Sequence, residues 1–290
     1  MVQTLDGITA EVVKSFEAAP DPRLRSIMES LTRHLHAFVA DVGLTEAEWF
    51  EAIRFLTETG HMCSDKRQEF ILLSDALGVS MVVDLIAHNR PAKATESTVL
   101  GPFHRGGAPE LPAGGNIAPL DTDAVPTYVS GRVLDLNGDP IANAVLDVWQ
   151  TASNGLYDSQ DPEIKGLHMR GIFRTDAEGR YLIQTVRPVH YQIPNDGPVG
   201  RMLRATGRHA WRPAHIHFAV SAEGYEPVTT HIFDSEDPYL KGDAVFAVKQ
   251  SLVCDFKHHD SPPRFTAEYD FVLVRNAQFA GSLNASNSPE

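Results

Sequence analysis

The chain has little cysteine, no excess of basic charge and no long apolar run, and each absence removes a class of function. Only Cys63 and Cys254 occur in 290 residues. They lie far apart and outside any C-x-x-C pattern, which excludes a thiolate zinc site and fits a reducing cytoplasm. Any metal must then be held by nitrogen and oxygen. Lys and Arg number 25 against 38 Asp and Glu, a formal net charge of -13. Nucleic acid and anionic membranes reward clustered Lys and Arg, so neither is an expected partner, and the excess acid serves solubility. With no apolar run of about 18 residues and no charged-then-apolar leader, the reading is a soluble, cytoplasmic protein without membrane insertion. A chain of this length with 42% hydrophobic residues can bury a sizeable core.

Between residues 23 and 42 the positions Leu24, Ile27, Met28, Leu31, Leu35, Phe38, Val39 and Val42 fall at helical spacing, with Pro22 before and Gly43 after. Thr45 and Glu48 form a capping box ahead of a second helix carrying Trp49, Ile53 and Leu56, stopped at Gly60. Residues 65–77 and 79–89 read as two more helices, split at Gly78 and ended by Pro91. Near the start, Leu5, Ile8, Val12 and Phe16 make an apolar stripe that needs a partner surface, in its own domain or on another subunit. After about residue 125 the texture changes to strand-like runs such as TYVSGRVLDL, HIHFAV and EYDFVLVRN, with turn signals at Asn137-Gly138 and Glu178-Gly179. The predicted class is α+β. A helical domain over 1–100 precedes an antiparallel β-sandwich over 101–290, entered through a Gly/Pro-rich segment over 101–120.

Thirteen histidines are present, and the stretch RPAHIHF places two of them one residue apart. His34 and His36 have the same spacing on a helix, where such residues point to different faces, so they cannot chelate together. On a strand, positions i and i+2 share a face. The alternation of Ile216, Phe218 and Val220 therefore projects His215 and His217 from one side. For the dyad alone, a metal clamp and a hydrogen-bonded strand pair remain equally open. No carboxylate stands in an equivalent strand-end context nearby, but two tyrosines do. Tyr157 and Tyr191 each lie where a strand breaks into a polar loop, whereas Tyr128, Tyr181 and Tyr269 sit within strand patterns as packing residues. A phenol with an ordinary pKa of about 10 binds as phenolate only when a strongly charged cation drives its proton off. Two Tyr and two His together select ferric iron over zinc or ferrous iron.

The ordered set GPF at 101–103, DVWQTASNGLYD, RPVHYQIP and RPAHIHF closely resembles the intradiol ring-cleaving dioxygenases, in their catechol 1,2-dioxygenase branch, over roughly residues 5–275. The resemblance implies one Fe(III) per subunit, held by Tyr157, Tyr191, His215 and His217 with a solvent hydroxide as fifth ligand. Tyr191 and His217 would be axial, Tyr157 and His215 equatorial. A catecholic substrate would chelate the metal through both oxygens, with hydroxide and Tyr191 accepting its two protons. Ring carbon rather than reduced metal would attack O2, so no nicotinamide or flavin is implied. Arg212, at the position of the family's active-site arginine, would stabilise charge on the activated ring. The resemblance further implies a homodimer joined through the N-terminal helices, with room for a bound phospholipid between them.

Two stretches, TESTVLGPFHRGGAP and HIFDSEDPYLKGDAVFAVK, resemble the hydroxyquinol 1,2-dioxygenase group of that family. By resemblance the substrate pocket includes Leu72, Asp75, Val99, Leu100, Gly101, Pro102, Phe103, Ile193, Pro194, Arg212 and Val245. Asp75 is the informative member, since a carboxylate there accepts a hydrogen bond from a third ring hydroxyl and penalises rings lacking it. The expected reaction is cleavage of 1,2,4-trihydroxybenzene to 3-hydroxy-cis,cis-muconate, hence maleylacetate, in aromatic hydrocarbon catabolism. The alternatives are a catechol or chlorocatechol 1,2-dioxygenase and, from another class, a transthyretin-like binding module. Two positions depart from the family pattern. Leu100 replaces a frequent aromatic, and His231 stands where catechol-cleaving members usually carry glutamine.

Overall fold

The computed structural model describes residues 4–64, 67–121 and 124–276; residues 65 and 66 of the third expected helix, and the polar C-terminus, lie outside these. The chain divides into two compact units, Met1–His61 and Met62–Glu290. The first holds α1 (Leu5–Ser15), α2 (Pro22–Val42) and α3 (Glu46–His61). Thr4 caps α1 and Asp21 caps α2, where Pro22 opens the first turn and Gly43 closes the last at φ +58°. The capping box at α3 forms as read, Thr45 N–H donating to Glu48 and Glu48 N–H to the Thr45 hydroxyl, although the helix runs past Gly60 to His61. The Thr9 hydroxyl lies 2.8 Å from His36 Nδ1, an ordinary contact between α1 and α2. Within this unit the α2 stripe from Leu24 to Val42 is left exposed.

The second unit begins with α4 (Glu69–Ala76) and α5 (Val79–Ala87), which the sequence pattern grouped with the preceding helices. Buried carboxylates tie both to the sandwich unit instead. Glu69 accepts from the Val199 N–H, and Asp84 meets Lys249 Nζ at 3.3 Å and the Ser97 hydroxyl at 3.1 Å. The strands are β1 (Pro126–Asp135), β2 (Val145–Trp149), β3 (Arg170–Arg174), β4 (Arg180–Val186) and β5 (Tyr191–Gln192). After α6 (Pro198–Ala205) come β6 (Trp211–Arg212), β7 (His215–Ser221), β8 (Val228–Asp234), β9 (Val253–Cys254), β10 (Lys257–His258), β11 (Phe265–Glu268) and β12 (Phe271–Leu273).

One sheet runs β10-β11-β1-β12, with β4 also on β1; the other runs β3-β2-β7-β8-β9; β5 and β6 form a separate ribbon. The pairing is mixed rather than purely antiparallel, since β1 pairs β11 and β12 in parallel and β8 pairs β9 in parallel. Hydrophobic alternation reports which face is buried and carries no information on strand direction. Val129, Val133, Tyr181, Ile183 and Phe271 from the first sheet meet Leu146, Val148, Phe173, Ile216, Phe218 and Val220 from the second in one core. The even-numbered positions of β7 thus enter the core, and His215 and His217 occupy its other face, as the alternation predicts. Over that face lies the segment 94–103, held by Thr98 N–H donating to Thr229 O and the Thr230 hydroxyl donating to Glu96 O.

The loop after β2 is pinned by a buried ion pair. Arg170 on β3 donates from Nε and Nη2 to both Asp158 oxygens at 2.8 and 2.6 Å, and His168 N–H adds a third bond. Both side chains are essentially inaccessible, so removing one partner strands the other charge. Asp158→Ala is expected to lower unfolding stability by about 3–5 kcal/mol, read by chemical denaturation. A loss below about 1 kcal/mol, the worth of an exposed pair, would mean that this clamp does not hold the loop.

Candidate metal centre

Two strands and one loop bring four Lewis-basic side chains to one buried point. β7 lies between β2 and β8, so His217 stands opposite Trp149 on one side and His231 on the other. The Trp149 indole stacks on the His217 ring at 4.7 Å and 14°. Tyr157 comes from the loop after β2, where its N–H donates to Gln160 Oε1 and Phe103 stacks on its ring at 4.4 Å. Tyr191 differs from its sequence reading: it opens β5 rather than lying in a loop, and pairs directly with Arg212 on β6. The sequence-predicted tetrad is therefore assembled, with Tyr157 Oη 3.0 Å from His217 Nε2 and 3.4 Å from Tyr191 Oη, and His215 Nε2 3.2 Å from His217 Nε2.

The electrostatics favour neutral donors until a cation arrives. His215 Nδ1 lies 2.6 Å from Pro213 O. A carbonyl only accepts, so that nitrogen carries the proton and Nε2 offers its lone pair. Burial pulls all three imidazoles well below the usual histidine range, helped by Arg212 at His215, by His231 at His217 and by His215 at His231. Burial, with Tyr191 beside it, pushes the Tyr157 phenol well above its ordinary range. Donors bonded to one metal at about 2 Å stand roughly 3 Å apart, which matches the separations of the tetrad. His217 Nδ1 and His231 Nε2 are buried without a hydrogen-bond partner among the described residues, a costly state that also marks a ligand-binding site. His215, His217 and His231 have nitrogen atoms within 4.8 Å of one another. His231 is oriented by the Thr98 hydroxyl against its Nδ1. The donor set of two phenols and neutral imidazoles suits a hard, highly charged ion.

Of the pocket residues that the resemblance implies, Leu72, Asp75, Ile193 and Val245 are buried, Val99, Gly101, Phe103 and Pro194 half-buried, and Leu100 and Pro102 exposed. Gly101 adopts φ +74°, and a β-carbon on it would stand 3.5 Å from His217 Cε1, so the segment lies directly over the ligand face. Asp75 neither faces solvent nor caps its helix. Burial raises its carboxyl, Ser80 bonds it, and it is close enough to feel Arg212 and Asp243. Arg212 is buried, its Nη1 3.4 Å from Tyr191 Oη and 3.3 Å from His215 Nε2. Burial opposes its charge, yet Asp243 holds its pKa above the ordinary value. Sequence reasoning found no carboxylate near the dyad and so missed Asp243, as well as Thr98 and Trp149. Strand register supplies the signal for Trp149, which faces His217; Asp243 and Thr98 come from distant segments with no local pattern.

Two family profiles match the chain, one described as "Catechol dioxygenase N terminus" over residues 21–95 and one as "Dioxygenase" over residues 117–277. A hydroxyquinol 1,2-dioxygenase of Rhizobium sp. (strain MTP-10005) is 49% identical, over 91% of this chain and 93% of that protein. A 6-chlorohydroxyquinol 1,2-dioxygenase of Cupriavidus pinatubonensis is 46% identical, over 92% and 96% respectively. The solved structure of hydroxyquinol 1,2-dioxygenase from Pseudomonas putida DLL-E4 is 52% identical and superposes with a TM-score of 0.89, covering 94% of this chain and 99% of that one. Likeness of sequence over nearly the whole length, on a sandwich that gathers two tyrosines and two histidines at one buried point, establishes that this chain belongs to the intradiol ring-cleaving dioxygenase family.

Proposed function

We propose that this chain cleaves hydroxyquinol (1,2,4-trihydroxybenzene) with O2 between the two adjacent hydroxylated carbons, giving 3-hydroxy-cis,cis-muconate and hence maleylacetate. Ferric iron is the metal, one per subunit, held by Tyr157, Tyr191, His215 and His217. The observation that carries the reading is the approach of two tyrosine oxygens and two histidine nitrogens to within 3.0–3.4 Å of their neighbours in a buried site. The relatives named above support the substrate.

Ferric iron, when bound, supplies a chelation point for two substrate oxygens and withdraws electron density so that the ring becomes reactive toward O2. The protein's part is to bind, orient and move protons. Tyr191, on the short ribbon, accepts one phenolic proton at its Oη and is paired with Arg212, whose guanidinium stabilises negative charge on the ring. Phe103 and Trp149 pack beside Tyr157 and His217 and keep water from the ligand atoms. Asp75 takes the third hydroxyl, the feature that separates hydroxyquinol from catechol.

The exposed stripe of α2 supports a homodimer through the N-terminal helices, since an apolar face of that length needs cover. A phospholipid held between those helices would share in that cover. No single helix among the described residues is long and apolar enough to cross a membrane.

Purified protein is expected to be red-brown from tyrosinate-to-Fe(III) charge transfer, and to bleach or shift strongly in Tyr157→Phe. Colourless, iron-free, folded protein would defeat the reading and favour a binding module. Side-by-side kinetics should give a higher kcat/KM for hydroxyquinol than for catechol or 4-chlorocatechol. Asp75→Ala should lower the hydroxyquinol value by about 10- to 100-fold while changing catechol much less; equal losses on both substrates would remove Asp75 from specificity. Leu31→Glu with Phe38→Glu should convert a dimer to a monomer in sedimentation velocity, whereas an unaltered dimer would place the subunit contact elsewhere.

A further inference from the structure

Arg212 reaches Tyr191 and His215 with its Nη1, and one carboxylate holds it. Its Nε donates to Asp243 Oδ1 at 3.1 Å and its Nη2 to Oδ2 at 3.5 Å, with both side chains almost fully buried. A guanidinium gripped along its Nε–Nη2 edge cannot rotate about its terminal bonds. The remaining nitrogen, Nη1, is then directed at Tyr191 Oη and His215 Nε2.

Asp243 is itself immobilised. Its Oδ1 accepts from Val245 N–H at 3.2 Å and its Oδ2 from Ala247 N–H at 2.9 Å, closing a tight turn in which Phe246 takes the left-handed φ of +59°. Ala244 N–H donates to Trp211 O, the residue before Arg212. From the other side, Arg208 donates to Ala244 O and to Ala76 O, next to Asp75, with its guanidinium over the Phe246 ring. One carboxylate thus joins the arginine on β6 to the backbone of Val245 and Ala247, and Arg208 ties the same turn to the end of α4.

We propose that Asp243 is the positioning residue for Arg212. It aims Nη1 at the point where the substrate ring and Tyr191 meet, and sets the adjoining Val245 wall through the same turn. This inference rests on the ferric dioxygenase reading, and the test separates the two.

The experiment is a double-mutant cycle of Asp243→Asn and Arg212→Gln in iron-loaded full-length protein, read by steady-state kinetics, anaerobic hydroxyquinol binding and the tyrosinate absorption band. Asparagine keeps the shape of Asp243 but not its charge, and turns one acceptor into a donor facing other donors. Asp243→Asn alone should keep the iron content and the band, hold the anaerobic Kd within about threefold, and lower kcat by about 10- to 100-fold. In the Arg212→Gln background the same change should lower kcat by less than about threefold, because the group through which Asp243 acts is gone. Full additivity of the two substitutions, or an unchanged kcat in Asp243→Asn, overturns the proposal. If Asp243→Asn does not fold, Asp243→Glu retains the charge on a longer arm; folded protein with reduced kcat supports the role, and wild-type kcat overturns it. Wild-type protein that lacks colour and cleaves neither hydroxyquinol nor catechol sinks the underlying reading, whereas a coloured, active wild type with additive variants sinks only the role of Asp243.

Discussion

The structure is organised around a single difficulty, the burial of several lone pairs that face one another and a guanidinium. Tyr157, Tyr191, His215 and His217 crowd at hydrogen-bond distances with few hydrogens to share, and unsatisfied polar atoms in a dry interior are costly. Such a cluster persists only if its members cannot move apart. Most of the surrounding architecture restrains them. Pro213 O fixes the His215 tautomer, the Trp149 indole holds the His217 ring flat, Asp158 and Arg170 pin the Tyr157 loop, and Thr98 holds His231. A cation bound at this point would take up these lone pairs and link metal affinity to folding.

The same logic explains where the site lies in the sandwich. β7 is the middle strand of its five-stranded sheet, so its backbone is paired on both edges and cannot slip by one residue without moving both histidines into the apolar core. Tyr157 comes from the loop after β2 and Tyr191 from a two-residue strand of the separate ribbon. A rigid strand supplies the two imidazoles, a braced loop supplies Tyr157, and the short ribbon supplies Tyr191 and the arginine.

Much of this was legible in the sequence because it depends on local rules. The helix boundaries at Pro22 and Gly43, the capping box at Thr45, the apolar stripe of α2 and the alternation in HIHFAV are short-range patterns, and each appears in the structure close to where the pattern puts it. Strand direction was not legible, because alternation is the same for parallel and antiparallel neighbours. The grouping of α4 and α5 with the sandwich unit was also hidden, since it depends on buried ion pairs and hydrogen bonds from Glu69 and Asp84 to residues far along the chain.

For the site, the sequence by itself determined the donor types and the co-facial pair, because residue chemistry and a two-residue period are properties of a segment. It also marked Arg212, Asp75 and His231 as positions of interest, through resemblance to a family. Only the tertiary structure decided that Tyr191 lies opposite Arg212 on a ribbon, that Asp75 is buried, and that Asp243, 31 residues from Arg212, supplies the carboxylate which sequence proximity could not reveal. The physical reason is range. Side-chain identity and backbone periodicity act within a few residues, whereas a buried charge is satisfied by whichever partner the packed chain brings within about 3 Å.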